Sequence, residues 1–179
     1  KGAVLLPDGK PAPGATLWYA VAREQAGLTG RTLNVYNGRE GYQTNGADGR
    51  FSFPARPEGQ KLFVSHPAGW AELEVRPDAA NLKVSLAPWG AVTGTLVGSN
   101  GVPMPGVTLH LGHTHNWNAG DPIINVQGHG VTDAKGKFFF TNAAPVRLEL
   151  QRVIPMGAGG GWSSRLQTWF ICQPGITND

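Results

Sequence analysis

Gly2, Val4, Gly9, Pro11, Pro13, Gly14, Thr16 and Leu17 recur as Gly94, Leu96, Gly101, Pro103, Pro105, Gly106, Thr108 and Leu109, at an offset of 92 residues. Glycine and proline restrict or release the backbone more than any other residues, so holding them in register places the same turns in both halves. A repeat of this period in a 179-residue chain predicts two similar domains, residues 1–88 and 89–179, each large enough to bury a core of its own.

Each half opens with a strand, at Ala3–Leu6 and at Val92–Val97, followed by a turn at Pro7-Asp8-Gly9 or Ser99-Asn100-Gly101. A Pro-x-Pro-Gly bend then forbids ladder bonding before the next strand, at 15–20 and 107–111. The period-two pattern of these second strands assigns one face to a core and one to solvent. After insertions that differ between the halves, 21–43 and 112–130, come Asn45-Gly46-Ala47-Asp48-Gly49-Arg50-Phe51-Ser52-Phe53 and Thr132-Asp133-Ala134-Lys135-Gly136-Lys137-Phe138-Phe139-Phe140. Both read as a polar corner feeding a strand with alternate aromatic residues. Later strands are expected at 61–65 and 147–151, then at 82–86 with Leu82, Val84 and Leu86 on one face. The counterpart of that closing strand is read at 166–171, with Ile176–Asp179 running past the second copy's end and Lys1 falling inside its first strand. The chain accordingly reads as a mature form or an excised piece of a longer array. About seven short strands per half with turn signals between them predict an all-β chain of two tandem antiparallel Greek-key β-sandwiches.

Composition narrows the function classes. With 26 glycines, 14 prolines and 15% charged residues, there is no place for a long helix or a membrane-spanning run. The net charge of +3 is spread thinly among polar residues, so neither nucleic acid nor membrane insertion is expected. Cys172 stands alone, which excludes an internal disulfide, a zinc ribbon and a CxxC redox pair.

The residues Gly9-Lys10-Pro11-Ala12-Pro13-Gly14-Ala15, Asp48-Gly49-Arg50-Phe51-Ser52-Phe53 and Arg56-Pro57-Glu58-Gly59 resemble the pattern of the carboxypeptidase regulatory-like (transthyretin-like) β-sandwich family. Pro103-Met104-Pro105-Gly106-Val107 and Thr132 to Phe138 repeat it. Asn45-Gly46 replaces the family's Thr-Asp, and Pro145-Val146 lacks its glycine, yet these residues also support bends. The resemblance implies an extracellular or cell-envelope location and a non-catalytic structural or interaction module. Its partners would be other domains of the same protein or neighbouring copies. Two alternatives stand beside this reading: a subunit of a filament or surface assembly through strand-edge pairing, and a carbohydrate-binding module.

Candidate sites are few. His110, His113, His115 and His129 fall within twenty residues, and imidazoles so placed can hold zinc, copper or nickel if they converge. Otherwise no cofactor is expected. Tyr36, Tyr42 and Trp117, in or near the variable loops, are candidate sugar-stacking rings, with Trp18 and Tyr19 nearby in sequence. Trp70, Trp89 and Trp162 stand at repeated or joint positions and read as core. Asp48 and Asp133 sit in turns too poor in carboxylates for calcium. Ser65-His66 and Cys172 are the only nucleophile candidates, with no Gly-x-Ser-x-Gly elbow and no assignable acid pair, so the chain is not expected to be an enzyme.

Overall fold

The computed structural model of the chain describes residues 1–54, 56, 59–76, 79–113, 120–156 and 161–179. The chain is all-β, in agreement with the sequence reading. Its first nine strands are β1 (Gly2–Leu5), β2 (Thr16–Val21), β3 (Gln25–Thr29), β4 (Thr32–Val35), β5 (Tyr42–Thr44), β6 (Arg50–Phe51), β7 (Gly59–His66), β8 (Gly69–Glu74) and β9 (Leu82–Ser85). The remainder are β10 (Gly90–Thr95), β11 (Thr108–His113), β12 (Ile123–Val126), β13 (Gly128–Val131), β14 (Lys137–Ala143), β15 (Arg147–Met156), β16 (Gly161–Ile171) and β17 (Thr177–Asn178). Two compact units result, Lys1–Trp89 with His115–Asn125, and Gly90–Thr114 with Val126–Asp179.

The first unit contains a three-stranded sheet, β6-β1-β9, and a four-stranded sheet, β5-β2-β7-β8. Between them lie Val4, Leu17, Tyr19, Phe51, Leu62, Val64, Val84 and Leu86. In the second unit the sheets β14-β10-β17 and β13-β11-β15-β16 enclose Val92, Leu109, Leu111, Phe140, Leu148, Leu150 and Cys172. In both three-stranded sheets the central strand has one antiparallel and one parallel neighbour.

The polar corners explain how each sandwich is closed. Gly49 and Gly136 adopt φ of +76° and +73°, which L side chains rarely take. Their carbonyls accept the N–H groups of Val4 and Leu96, each at 2.9 Å. Buried Asn45 accepts the Ala15 N–H at 2.7 Å and donates to the carbonyls of Ala12 and Gly49, both at 2.9 Å. Thr132 does the same work with one hydroxyl, accepting from Val107 N–H at 2.9 Å and donating to Met104 O at 2.7 Å. The Asn-for-Thr departure noted in the sequence therefore keeps the corner's function.

Three expectations are corrected. The insertion at 21–43 is not simply a loop: β3 and β4 form a hairpin that makes a third sheet of the first unit, β12-β3-β4. The second face of β2 does not see solvent either, because Trp18 stacks on Phe63 at 5.1 Å between ring centroids and Phe63 meets Trp70 at 6.0 Å, all buried. Ser65, on that same face of β7, donates to the Arg31 carbonyl of the β3–β4 turn at 2.5 Å and ties the hairpin down. Trp18 and Tyr19, weighed with the sugar-stacking rings, are thus buried. Finally, β16 pairs antiparallel with β15 as β8 does with β7, so the structural counterpart of β9 is β17 and not 166–171. Residues Thr177 and Asn178, read as lying past the copy's end, are a strand of its sheet.

Candidate functional site

Alternation along β11 puts Leu109 and Leu111 into the core and His110 on the opposite face of the sheet. His110 lies directly across from His129 of β13 and from Gln151 of β15. The two imidazole centroids are 4.9 Å apart, tilted by 45°. Gln151 in turn donates to Glu149 Oε1 at 2.6 Å. Burial pushes the His110 pKa below its ordinary value, and the neighbouring His129 adds to the effect. Gln151 and Glu149 oppose it. His110 is therefore held towards neutrality, with an imidazole nitrogen suited to accepting a hydrogen bond.

Of the four histidines singled out in the sequence, the structure brings these two together. His113 ends β11 with its backbone beside Leu148. Its side chain, together with all of His115 and Trp117, lies outside the described residues. Among the described residues no three His, Cys, Asp or Glu side chains gather in a group suited to a metal ion. Arg147 and Trp169, from β15 and β16, add a cation–π contact of 4.0 Å to this sheet. No spacing rule joins those two in sequence, because their meeting depends on the long antiparallel register of β15 with β16.

The tyrosines are separated. Tyr36, 55% exposed, lays its hydroxyl against Gly27 of β3. Tyr42, 42% exposed, sits on the edge strand β5 opposite Trp18. No ring contact joins one tyrosine to the other among the described residues. The nucleophile candidates are also occupied structurally. Ser65 is bound to Arg31 O, His66 Nδ1 accepts the Ala68 N–H at 3.0 Å, and burial pushes the Cys172 thiol up to about 11.

Sequence reasoning missed two features. One is a part-buried ion pair, Arg56 Nη2 to Glu24 Oε1 at 2.7 Å, whose guanidinium also donates to the Tyr19 carbonyl at 2.7 Å. The other is an open apolar cavity of about 680 Å³ in the second unit, lined by Val92, Leu96, Phe138, Leu150 and Phe170 with Ile171 and Ile176 beside them. Its size falls in the range of ligand pockets. Neither was visible without knowing which strands become neighbours.

No family model matches the chain, and no curated protein matches it. Among solved structures the chain is similar to that of a streptococcal ancillary pilin, with a TM-score of 0.33 and 11% identity. The match covers 93% of this chain and 57% of the pilin chain. No helix among the described residues is long and apolar enough to cross a membrane.

Proposed function

We propose that this chain is a non-catalytic structural or interaction module of an exported or cell-envelope protein, made of two sandwiches of the carboxypeptidase regulatory-like kind, with the repeat boundary near Pro88. The observation that carries this reading is the use to which the repeated polar residues are put. Asn45, Thr132 and Asp133 all satisfy backbone groups of their own corners, Asp133 accepting the N–H groups of Lys135 and Lys137 at 2.8 and 2.9 Å. Side chains spent in this way hold turns.

Two measurements test it. Proteinase treatment of intact cells is expected to release fragments of the native protein containing this chain; fragments that appear only after lysis overturn the location. Turnover abolished by Ser65→Ala or Cys172→Ala overturns the non-catalytic reading.

A second reading, an assembly subunit using an exposed strand edge, is favoured by the long edge strand β16, on which Trp169 and Ile171 are exposed. The carbohydrate reading rests on the exposed rings of Tyr36 and Tyr42 together with Trp117. A glycan-array signal unchanged by Tyr42→Ala and by Trp117→Ala removes it.

A further inference from the structure

The outer face of the β13-β11-β15-β16 sheet is written differently from its counterpart in the first unit. There Trp18 stands opposite Phe63 and Tyr42, and the β3–β4 hairpin is tied down over the face through Ser65. His110 follows Trp18 by 92 residues and stands opposite Gln151 and His129. An imidazole and an amide would lose hydration under an apolar protein layer. This face is chemically suited to a polar occupant.

Trp169 of β16 lies directly opposite Glu149 of β15. The indole stays 55% exposed although the Arg147 guanidinium rests over its ring at 4.0 Å. That contact steadies the ring and leaves much of its surface open. Beside it Gln151 donates to Glu149 Oε1 at 2.6 Å and faces His110 across the β11–β15 ladder. An exposed indole thus borders a half-buried carboxylate, amide and imidazole, which together offer hydrogen-bond acceptors and donors. From His129 on β13 to Trp169 on β16 the patch crosses three strand spacings, about 14 Å. Its two charges, on Arg147 and Glu149, are of opposite sign, which disfavours an anion-selective site. A protein partner also uses exposed tryptophan and arginine, but the centre of such an interface is apolar and poor in glutamate. The centre here is Glu149 and Gln151.

We propose that this face is a binding site for a neutral glycan chain, in which one sugar ring stacks on Trp169, Glu149 and Gln151 bond its hydroxyls, and His110 and His129 meet a neighbouring sugar. A hydroxyl both donates and accepts, as this mixed set requires, and the apolar face of a sugar ring matches the indole. The site is separate from the rings of Tyr36, Tyr42 and Trp117. It names a ligand for the interaction module and rests on that reading.

The test uses the 179-residue chain in affinity electrophoresis through gels containing xylan, glucomannan or hydroxyethylcellulose, with polygalacturonate as the acidic counterpart. At least one neutral polysaccharide is expected to retard the protein, and Trp169→Ala to weaken that binding by at least about tenfold. Trp169→Tyr, which keeps a stacking ring, is expected to recover most of it, and Tyr42→Ala to leave it unchanged. Should Trp169→Ala unfold, His129→Ala, at an exposed position, is expected to weaken binding by about threefold. Retardation by none of the neutral polysaccharides, by polygalacturonate alone, or equally in wild type and the Trp169 and His129 variants overturns the proposal. So does self-association, seen by light scattering and lost in Trp169→Ala, that the polysaccharide leaves intact, which assigns the face to a second copy. Each of these results leaves the module reading standing, because that reading fails separately, through cell-fractionation or turnover results.

Discussion

The ring of Phe138 lies over Gly94 across the β10–β14 ladder, and Phe51 lies over Gly2 in the same relation across β1–β6. A Cβ built at Gly94 would come within 2.6 Å of Phe138 Cζ, the movable end of a ring. At Gly2 it would meet the Leu82 carbonyl oxygen at 2.4 Å as well as Phe51 Cζ at 2.8 Å. Backbone yields less than a ring edge does. Gly94→Ala is therefore expected to cost about 1–2 kcal/mol and Gly2→Ala about 3 kcal/mol, an order that urea unfolding of the two variants checks.

Asn45→Ala removes three hydrogen bonds at a buried corner. The expected loss is about 2–4 kcal/mol, because the Ala12 carbonyl and the Ala15 N–H are stranded while the Gly49 carbonyl keeps only the Val4 N–H. Asn45→Thr copies the arrangement that Thr132 uses and is expected to recover about half of that loss, measured by the same unfolding experiment.

Glu24 and Arg56 are held with side chains only 13% and 15% exposed, so screening by solvent is partial. Glu24→Ala is expected to destabilise by about 2–3 kcal/mol, since it leaves the guanidinium part-buried and also removes the acceptor of the Val21 N–H. Arg56→Lys is expected to fall short of wild type, because an ammonium cannot serve Glu24 and the Tyr19 carbonyl as a fork does. Thermal melts in low and high salt read both.

His110 titrates below its ordinary value in the fold, chiefly through burial and secondarily through His129. The unfolded chain then binds the proton more readily than the folded one, so this residue's contribution is present above the unfolded pKa near ~6.5 and is lost as pH falls through the lower folded value. Stability is expected to rise from pH 5 to pH 7. In His110→Gln the rise is expected to be shallower, and equal slopes for the two proteins would contradict the assignment.

Cys172 is buried, its thiol raised to about 11. Native protein at pH 8 is expected to react with a disulfide reagent about two orders of magnitude more slowly than a free thiol, and at the ordinary rate once unfolded in urea.

What could be read from residues alone follows the range of the interactions involved. Gly49, Gly136 and the Pro-x-Pro-Gly bends constrain backbone locally, so the corners and the strands beside them were legible. Leu82, Val84 and Leu86 announced a half-buried strand by alternation. The β3–β4 hairpin carried a readable signal too, with Gly30 between Leu28 and Leu33, but the unequal lengths of the two halves disguised it as a loop. Ile123 and Ile124 have strand character, yet nothing local states that β12 will join β3, nearly a hundred residues earlier. The same holds for β17: β15 and β16 are longer than β7 and β8, so the offset of 92 fails just where the closing strand had to be located. His110 and His129 were singled out by proximity in sequence, but their pairing comes from the β11–β13 register.

Because β12 belongs to the sheet of β3 and β4, the first unit is not made of one continuous stretch of polypeptide. A ribosome must deliver residue 125 before that unit has all its parts, by which time β10 and β11 have already emerged. Until then the sheet of β3 and β4 lacks its third strand, and a gene cut at the repeat boundary yields a first unit without it.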